Sequence, residues 1–474
     1  MVFSSSLFLL LFLPVFLLCY YLARPQAKNS VALAASILFY MWGGPWFIFI
    51  VLGSVLLDFR IVRSMSESTG KVRNRLLMAS VILNVGLLLY FKYANFFVDN
   101  LNLLLREMGS GEVHWIRIAL PIGISFFTFQ KISYSVDVYR GMHPPLRSAR
   151  DYALYILLFP QLIAGPIVRY HEIADQLVDR SEQMTADNRM LGFMRFVLGL
   201  SKKVLIANVL GAEVDRIFSL DPEGLPTMTA WLGVVAYSFQ IFYDFSGYSD
   251  MAIGIGKMLG FRFPENFNNP YISGSITEFW RRWHMTLGRW MKDYLYVPLG
   301  GSRVSNRSRL FLNLWIVFLI SGLWHGAAWN FVIWGGFHGL FLILDRLFLL
   351  KLSVKMGRIP SVLLTYFVTL IGWVLFRAES LPDAWSYLGS MFSWKGGFTH
   401  EDLTLHFWFI LAAGTVFAFF ALIPGIEKWQ ERQLNTQYGI RKTIFAGVAV
   451  LFFLFYSMAS ITASGFNPFI YFRF

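Results

Sequence analysis

The chain has 474 residues, of which 56% are hydrophobic and only 15% are charged. Soluble domains average about 25% charged residues, so this composition excludes an ordinary soluble enzyme and predicts a membrane protein. Its 41 lysines and arginines exceed its 28 acidic residues, which gives a formal charge of +13. The basic residues lie mainly in short loops between apolar segments, which indicates membrane topology rather than nucleic-acid binding. We predict one membrane domain over residues 1–474.

Apolar segments follow one another along the whole chain. A helix needs about 20 apolar residues to cross the hydrocarbon core of a bilayer. By that criterion we predict spans near residues 2–23, 30–57, 76–98, 118–138, 151–168, 190–210, 228–245, 311–345, 361–377, 403–425 and 443–464. The segments 30–57 and 311–345 are too long for one span, and each contains a break rich in Gly and Trp, WGGPW and WHGAAWN. The predicted fold class is an all-α polytopic integral membrane protein with about 11 to 13 membrane helices.

The charge of the loops predicts the side of the membrane on which they lie. Loops 24–28 and 58–75 are rich in Arg and Lys, so we expect them in the cytoplasm and the N-terminus outside. The segments 99–117 and 378–402 are balanced or acidic, which favours the opposite side. The first segment lacks the features of a signal peptide and should remain as the first span. It contains the single cysteine, Cys19, which excludes an intramolecular disulfide.

The segment 262–310 combines many arginines with many aromatic residues. In its central part, 278–296, apolar residues recur at helical spacing while the charged residues fall on another face. An amphipathic helix lying in the membrane interface is the simplest interpretation. His284 belongs to the apolar face of this helix, because Trp280 and Leu287 lie four residues before it and three residues after it.

A titratable side chain inside a membrane is costly and is a functional candidate by default. Of the eight histidines, only His284, His325 and His338 lie away from polar loops. His325 is flanked by Gly322 and Gly326, whose small size lets a helix or an extended cofactor approach closely. A core histidine bonded to a neighbouring helix is the alternative. On one continuous helix His338 would face away from His325, which favours a packing role for it.

Other charged or glycine-rich positions allow a functional and a structural interpretation. Asp244 and Asp250 could orient a histidine or bind a substrate, or could form a buried structural pair with an arginine or a backbone cap. Lys92 and Lys131 lie near span ends, where snorkelling to the interface explains them. The run GIGKMLG at Gly254–Gly260 predicts helix packing. We find no motif of a serine hydrolase, nucleotide-driven pump or zinc enzyme, and expect no metal and no permanently bound cofactor.

Five segments stand out in order along the chain: LPIGISFFTFQKISYSVDVYRG, LLFPQLIAGPIVRY, FYDFSGYSDMAIGIGKMLGF, FWRRWHMTLGRWMKDYLYVPLGG and SGLWHGAAWNFVIWGGFHG. With the apolar start and the ending FNPFIYFRF, they resemble the membrane-bound O-acyltransferase (MBOAT) family, in its bacterial branch of alginate and polysaccharide O-acetylation. The resemblance implies tilted, interfacial and re-entrant helices around a central tunnel. It also matches His325 to the invariant membrane histidine of the family, and His284 to a second histidine often paired with it.

The resemblance further implies an O-acetyltransferase in the bacterial inner membrane. Cytoplasmic acetyl-CoA would be the donor substrate, and acetyl groups would pass across the membrane to an exported polysaccharide, most readily alginate. The implied partners are a periplasmic SGNH/esterase-like acetyltransferase and the polysaccharide export machinery. Peptidoglycan, cellulose or teichoic acid are alternative acceptors, and a transporter or flippase without bond-breaking chemistry is the alternative from another class.

Two points about the chemistry stay open at the level of sequence. His325 would act either as a general base or as a carrier of the acetyl group. Arg281, Arg282 and Arg289 are candidates for binding the phosphates of CoA, because guanidinium groups recognise phosphate. The positive-inside rule explains the same arginines without any ligand.

Overall fold

The computed structural model describes residues 2–304, 306–397, 403–435, 440–464 and 469–470. Within these residues the regular secondary structure is helical, with no β-strand. The chain divides into two compact units, one of Met1–Thr185 with Leu259–Phe263 and the other of Ala186–Met258 with Pro264–Phe474. The predicted all-α class is confirmed. The single domain over residues 1–474 stays a prediction.

The first unit is built from short and medium-length helices. They are α1 (Leu13–Leu22), α2 (Lys28–Met41), α3 (Phe47–Glu67), α4 (Gly70–Leu88), α5 (Ala94–Glu107), α6 (Ile124–Tyr139), α7 (Ala149–Leu157), α8 (Phe159–Leu162) and α9 (Tyr170–Val178). A wider helical turn at Leu89–Tyr93 joins α4 to α5.

The second unit contains the remaining helices and all three candidate histidines. The helices are α10 (Ala186–Ser201), α11 (Asn208–Phe218), α12 (Thr227–Met258), α13 (Ile276–Arg282), α14 (Met285–Met291), α15 (Arg307–His325), α16 (Trp329–Leu344), α17 (Leu350–Met356), α18 (Arg358–Arg377), α19 (Leu381–Phe392), α20 (Leu405–Phe419), α21 (Ile426–Asn435) and α22 (Ile440–Ser464).

Five helical stretches of the described residues are long and apolar enough to cross a membrane. They are Gly70–Glu107, Arg307–His325, Arg358–Arg377, Leu405–Leu422 and Ile444–Ala463. Large apolar side chains on these helices are exposed, as expected for surfaces that face lipid. The polytopic membrane architecture is confirmed, whereas the full count of about 11 to 13 membrane helices stays a prediction.

Both predicted breaks in the long apolar segments are present. In the first unit α2 ends at Met41 and α3 begins at Phe47, on either side of WGGPW. A Cβ atom on Gly43 would lie 2.7 Å from Ile122 Cδ1, so a larger residue in this turn would require the Ile122 side chain to shift. In the second unit α15 ends at His325 and α16 begins at Trp329.

The second break turns α16 back against α15. A Cβ atom on Gly322 of α15 would lie 2.2 Å from Phe331 O, and one on Gly335 of α16 would lie 2.3 Å from Phe318 O. The small residues therefore permit the close packing that was predicted from their spacing. The expectation that His338 faces away from the other histidine of this segment is wrong, because it assumed one continuous helix.

The predicted amphipathic helix over 278–296 is also wrong. The structure divides it into α13 and α14, because Trp283 is extended and His284 adopts a left-handed conformation. His284 is nevertheless buried, as its place among apolar neighbours predicted. A regular helix would have placed the arginines on one face and the aromatic residues on another. Because the helix breaks at Trp283 and His284, the residues of α13 and α14 do not share these faces.

Buried charges in both units have partners. Lys131 does not snorkel, contrary to expectation: it is fully buried, and its Nζ donates to Ser54 Oγ at 2.5 Å. In the second unit Asp244 forms an ion pair with Lys203, and Asp250 binds Arg195 and Lys202. Since a buried charge without a partner is very costly, these pairs account for both aspartates structurally.

Glycines of α10 and α12 confirm the packing role predicted for GIGKMLG. A Cβ atom on Gly254 would lie 2.6 Å from Gly192 O, and one on Gly192 would lie 2.6 Å from Gly254 O. Two turns away, Gly199 and Gly247 approach each other in the same way. The two helices therefore pack backbone to backbone, which only glycine at these positions allows.

Candidate active site

A break between two short helices places His284 in the interior of the second unit. Helix α13 ends at Arg282 and α14 begins at Met285, so His284 lies in the connection, with φ 44° and ψ 51°. For a residue other than glycine, this left-handed conformation costs about 1–2 kcal/mol. Strain of this kind persists only where the surrounding contacts enforce it, and it is common at functional sites.

Asn266 holds this connection and contacts the imidazole ring. Its main-chain oxygen accepts a hydrogen bond from Met285 N at 2.9 Å, and its Oδ1 lies 2.9 Å from His284 Nδ1. The same Oδ1 accepts hydrogen bonds from Thr286 N at 3.3 Å and Thr286 Oγ1 at 2.8 Å. His284 lies outside the five membrane-spanning stretches, and burial lowers its pKa to about 3. Its ring is therefore neutral at physiological pH.

His325 is the last residue of α15, and aromatic rings surround its imidazole. The ring centroid lies 4.9 Å from that of Trp324, 5.1 Å from that of Trp334 and 5.3 Å from that of Phe376. The side chain is buried. Trp324 also contacts His284, with 6.0 Å between ring centroids. The structure thus brings both predicted catalytic histidines to one indole ring.

His338 of α16 lies in the same aromatic region. Its ring centroid lies 4.9 Å from that of Trp280 and 5.1 Å from that of Trp334. Gly372 of α18 closes the other side, since a Cβ atom there would lie 2.7 Å from His338 Nε2. The sequence assigned His338 to helix packing, and its complete burial between three helices fits that role.

Several buried nitrogen atoms in this region have no hydrogen-bond partner within the described residues. They are the indole nitrogens of Trp280 and Trp334, Nε2 of His284 and both ring nitrogens of His338. Buried polar atoms in folded proteins nearly always have a partner, which can be water or a ligand. This concentration of unsatisfied donors and acceptors marks a place where a polar group of a substrate can bind. Among the described residues no group of three or more His, Cys, Asp or Glu could hold a metal ion.

A buried region lined by aromatic rings and containing two histidines is suited to proton transfer away from water. Comparison with known proteins identifies the family. The profile of the MBOAT, membrane-bound O-acyltransferase family matches residues 77–373. The chain belongs to this family. As an MBOAT protein it is an acyltransferase, and the matched residues include His284, His325 and His338.

Similar proteins extend over most or all of the chain. "Probable alginate O-acetylase AlgI" of Pseudomonas aeruginosa is 44% identical over 444 residues, covering 92% of this chain and 84% of that protein. The protein of the same description from Azotobacter vinelandii is 40% identical over the full length of both chains. "Peptidoglycan O-acetyltransferase" of Helicobacter pylori is 37% identical, covering 84% of this chain and 80% of that protein. These relatives are named for acyl transfer, which favours the predicted enzyme over a transporter.

The three arginines predicted to bind the donor of this MBOAT protein have different surroundings. Arg282 forms ion pairs with Glu278 at 2.8 Å and Glu427 at 2.5 Å. Arg289 donates to Glu265 O at 2.9 Å. Arg281 is exposed and makes no hydrogen bond or ion pair with any described residue. A role in donor binding stays a prediction for all three, and Arg281 has the guanidinium best placed to bind an external anion.

Sequence reasoning did not identify Asn266, Trp280 or Trp334 as parts of the site. Asn266 lies in the segment PENFNNPY, where three asparagines look alike and only the fold distinguishes the buried one. The two tryptophans appear in the sequence as part of apolar helical faces. Their unsatisfied indole nitrogens become visible only when the packing of α13 against α16 is known.

Proposed function

We propose that this MBOAT protein passes acetyl groups from cytoplasmic acetyl-CoA to an extracytoplasmic acceptor, for O-acetylation of an exported polysaccharide. Alginate is the first candidate, because relatives that match over the full length of both chains carry the name "Probable alginate O-acetylase AlgI". The structural observation that supports the proposal is that His325 and His284 both contact Trp324 in a buried region. Both histidines belong to the residues matched by the family profile.

The chemistry we propose is a direct transfer. A neutral histidine, which we assign as His325, takes the proton from the acceptor hydroxyl while the hydroxyl oxygen attacks the thioester carbonyl carbon. A new C–O bond forms, and the carbonyl oxygen carries the negative charge. When the C–S bond breaks, the histidine returns the proton to the departing thiolate, so that CoA and an acetyl ester are the products.

The indole N–H groups of Trp280 and Trp334 have a role in this proposal. Each is a hydrogen-bond donor without a partner in the described residues. Trp334 contacts His325, and Trp280 contacts Trp334. Donors aimed at a developing oxyanion stabilise the transition state of acyl transfer. We propose that at least one of these two groups donates to the carbonyl oxygen of the acetyl group.

The donor and the partners follow from the same proposal. Exposed Arg281 would contact a phosphate of CoA from the cytoplasmic side of the inner membrane. The segments predicted to be extracytoplasmic are too short to form a polysaccharide-binding domain, so we propose a periplasmic SGNH/esterase-like acetyltransferase as the partner. Together with the export machinery, that partner would deliver the acetyl group to the polymer.

The decisive experiment measures O-acetyl ester on the extracellular polysaccharide of a deletion strain. The strain is complemented with wild type, His325→Ala or His284→Ala, at equal amounts of protein in the membrane. His114→Ala is the matched control, because His114 lies in an exposed loop outside the site. We expect acetylation with wild type and the control and its loss with His325→Ala. Full acetylation with His325→Ala would remove this residue from the chemistry.

A second assay separates transfer from transport. Purified protein in vesicles receives acetyl-CoA labelled in the acetyl group, and free CoA and labelled acceptor are quantified. Release of CoA with loss of the thioester supports the transferase. Movement of intact acetyl-CoA across the vesicle membrane supports the transporter instead.

A further inference from the structure

The contacts around Asn266 fix the orientation of its side-chain amide. A backbone N–H can only donate, so the atom that faces Thr286 N must be the amide oxygen. The amide nitrogen then donates to Ser249 Oγ of α12 at 3.0 Å. Both ends of the amide are therefore assigned by hydrogen bonds that do not involve the histidine.

The orientation of Asn266 in turn fixes the tautomer of His284. An amide oxygen only accepts, so His284 Nδ1, at 2.9 Å from Oδ1, must carry the proton. In a neutral imidazole the other nitrogen then has a lone pair and no proton. That atom, Nε2, is buried and has no hydrogen-bond partner in the described residues. The rings of Phe245 of α12 and Trp324 of α15 pack against the imidazole. Neither contact is a hydrogen bond to Nε2.

The charged groups that contact the Asn266 segment from α10, α12 and α14 are paired, whereas Arg281 of α13 is exposed. Arg195 of α10 binds Glu265 through both carboxylate oxygens and also binds Asp250 of α12, which Lys202 contacts as well. Glu265 directly precedes Asn266, and its main-chain oxygen accepts from Arg289 of α14. This network holds the backbone next to Asn266 in place, and its own charges are balanced by contacts within the described residues.

We propose that Asn266 is a positioning residue that holds His284 as a fixed hydrogen-bond acceptor, which binds an N–H or O–H group of a substrate through Nε2. The inference rests on the proposed acetyl transfer and goes beyond it by giving the two histidines different tasks. His325 takes the transferred proton, whereas His284 orients one substrate through a proton that is not transferred. The bound group belongs either to an amide of the CoA arm or to a second hydroxyl of the acceptor.

The variant Asn266→Asp tests this assignment. A carboxylate retains the acceptor oxygen but stabilises a protonated imidazole, which raises the pKa of His284 by about 1 to 3 units. A protonated ring presents N–H at Nε2 and cannot accept. We therefore expect the KM for one substrate to rise up to about fourfold at pH 5.5 relative to pH 8, because a pKa raised from about 3 to about 6 leaves about three quarters of the rings protonated at pH 5.5. Wild type should show no such rise.

The assay uses the full-length protein in lipid nanodiscs, with acetyl-CoA as donor and an alginate oligosaccharide as acceptor probe. A rise in the KM for acetyl-CoA identifies the amide of the donor as the bound group, and a rise in the KM for the oligosaccharide identifies the acceptor. Asn268→Asp is the matched control, because it adds a carboxylate to the same loop and should follow wild type. Parallel pH profiles for wild type and Asn266→Asp would overturn the proposal.

A second measurement does not depend on activity or on the folding of a variant at Asn266. Nitrogen-15 NMR spectra are recorded for histidine-labelled wild type and His284→Gln. The signals present only in wild type belong to the two ring nitrogens of His284. Protonated Nδ1 with unprotonated Nε2 supports the proposal, and the opposite tautomer or a charged ring at pH 7 overturns it. If wild type transfers no acetyl group but shows the expected tautomer, the proposed function fails while the placement by Asn266 stands.

Discussion

His325 and His338 both pack against the indole of Trp334, each with 5.1 Å between ring centroids. The two histidines belong to different helices, because the chain breaks after His325 and α16 folds back on α15. The indole is almost completely buried, and its ring also contacts Phe376 and Trp280. The hairpin of α15 and α16 therefore builds one wall of the candidate site.

The close packing of this hairpin predicts a strong effect of Gly322→Ala. The added Cβ would lie 2.2 Å from Phe331 O, so the helices must separate. We expect a loss of about 1–3 kcal/mol in stability, the usual cost of overpacking, together with reduced acetyl transfer because His325 moves. Thermal unfolding in detergent and the rate of acetyl transfer measure the two effects.

Gly86→Ala provides the control for that variant. Gly86 lies within the long membrane-spanning stretch of the first unit, and a Cβ atom there would meet nothing within 4 Å. Alanine should be neutral or stabilising by up to about 1 kcal/mol, because glycine is the poorer helix former. Equal melting temperatures for the Gly322 variant and wild type would contradict the close packing of the hairpin.

The indole N–H of Trp334 predicts a rate effect that is separable from packing. Trp334→Phe keeps an aromatic ring against His325 but removes a donor that has no partner in the described residues. If this group stabilises the oxyanion, kcat should fall about 100-fold or more while the KM for acetyl-CoA changes little. Steady-state kinetics at saturating donor provide the measurement.

Trp373→Phe is the matched substitution in the same aromatic region. The indole N–H of Trp373 already donates to Tyr271 OH at 3.2 Å, so its loss removes a structural hydrogen bond of about 1 kcal/mol. We expect lower stability with kcat close to that of wild type. If the two variants lose the same fraction of kcat, the donor role of Trp334 is wrong.

The sequence predicted those features that depend on a strong local pattern of residues. The breaks at WGGPW and WHGAAWN were predicted from glycine and tryptophan within segments too long for one span, and both are present. The close approach of helices at Gly322 was predicted from the spacing of small residues. The resemblance to MBOAT proteins, carried by ordered motifs, is confirmed by the family match over residues 77–373.

The remaining features depend on tertiary contacts that no local pattern contains. The helical spacing around His284 suggested one amphipathic helix. Instead, Asn266 accepts hydrogen bonds from Met285 N and Thr286 N, and these bonds hold His284 in a left-handed conformation. Lys131 lies near the end of a predicted span, and only the packing of α3 against α6 brings Ser54 to its ammonium group. In both cases partners distant in sequence override the local preference.

Arg281 and Arg282 are adjacent in sequence but should respond differently to charge reversal. Arg281 is exposed and unpaired within the described residues, so Arg281→Glu should raise the KM for acetyl-CoA with little effect on stability. The effect should weaken at high salt, because exposed charges are screened. Titration of donor binding at two ionic strengths checks this prediction.

Arg282→Glu should instead destabilise the protein. The new carboxylate would face Glu278 and Glu427, which now bind the guanidinium. We expect a lower melting temperature and less protein in the membrane. If Arg281→Glu binds acetyl-CoA as tightly as wild type, positive-inside topology alone explains Arg281.

The buried charges on α10 and α12 predict the largest loss of stability. Asp250→Ala would leave Lys202 without its carboxylate and Arg195 with only Glu265, and removing one partner of a buried pair costs about 3–5 kcal/mol. Asp99→Ala is the control, because the ion pair of Asp99 and Arg117 is exposed and worth at most about 1 kcal/mol. Thermal unfolding in detergent measures both variants. Equal melting temperatures would mean that water or lipid headgroups reach Lys202 and Arg195 and compensate for the lost carboxylate.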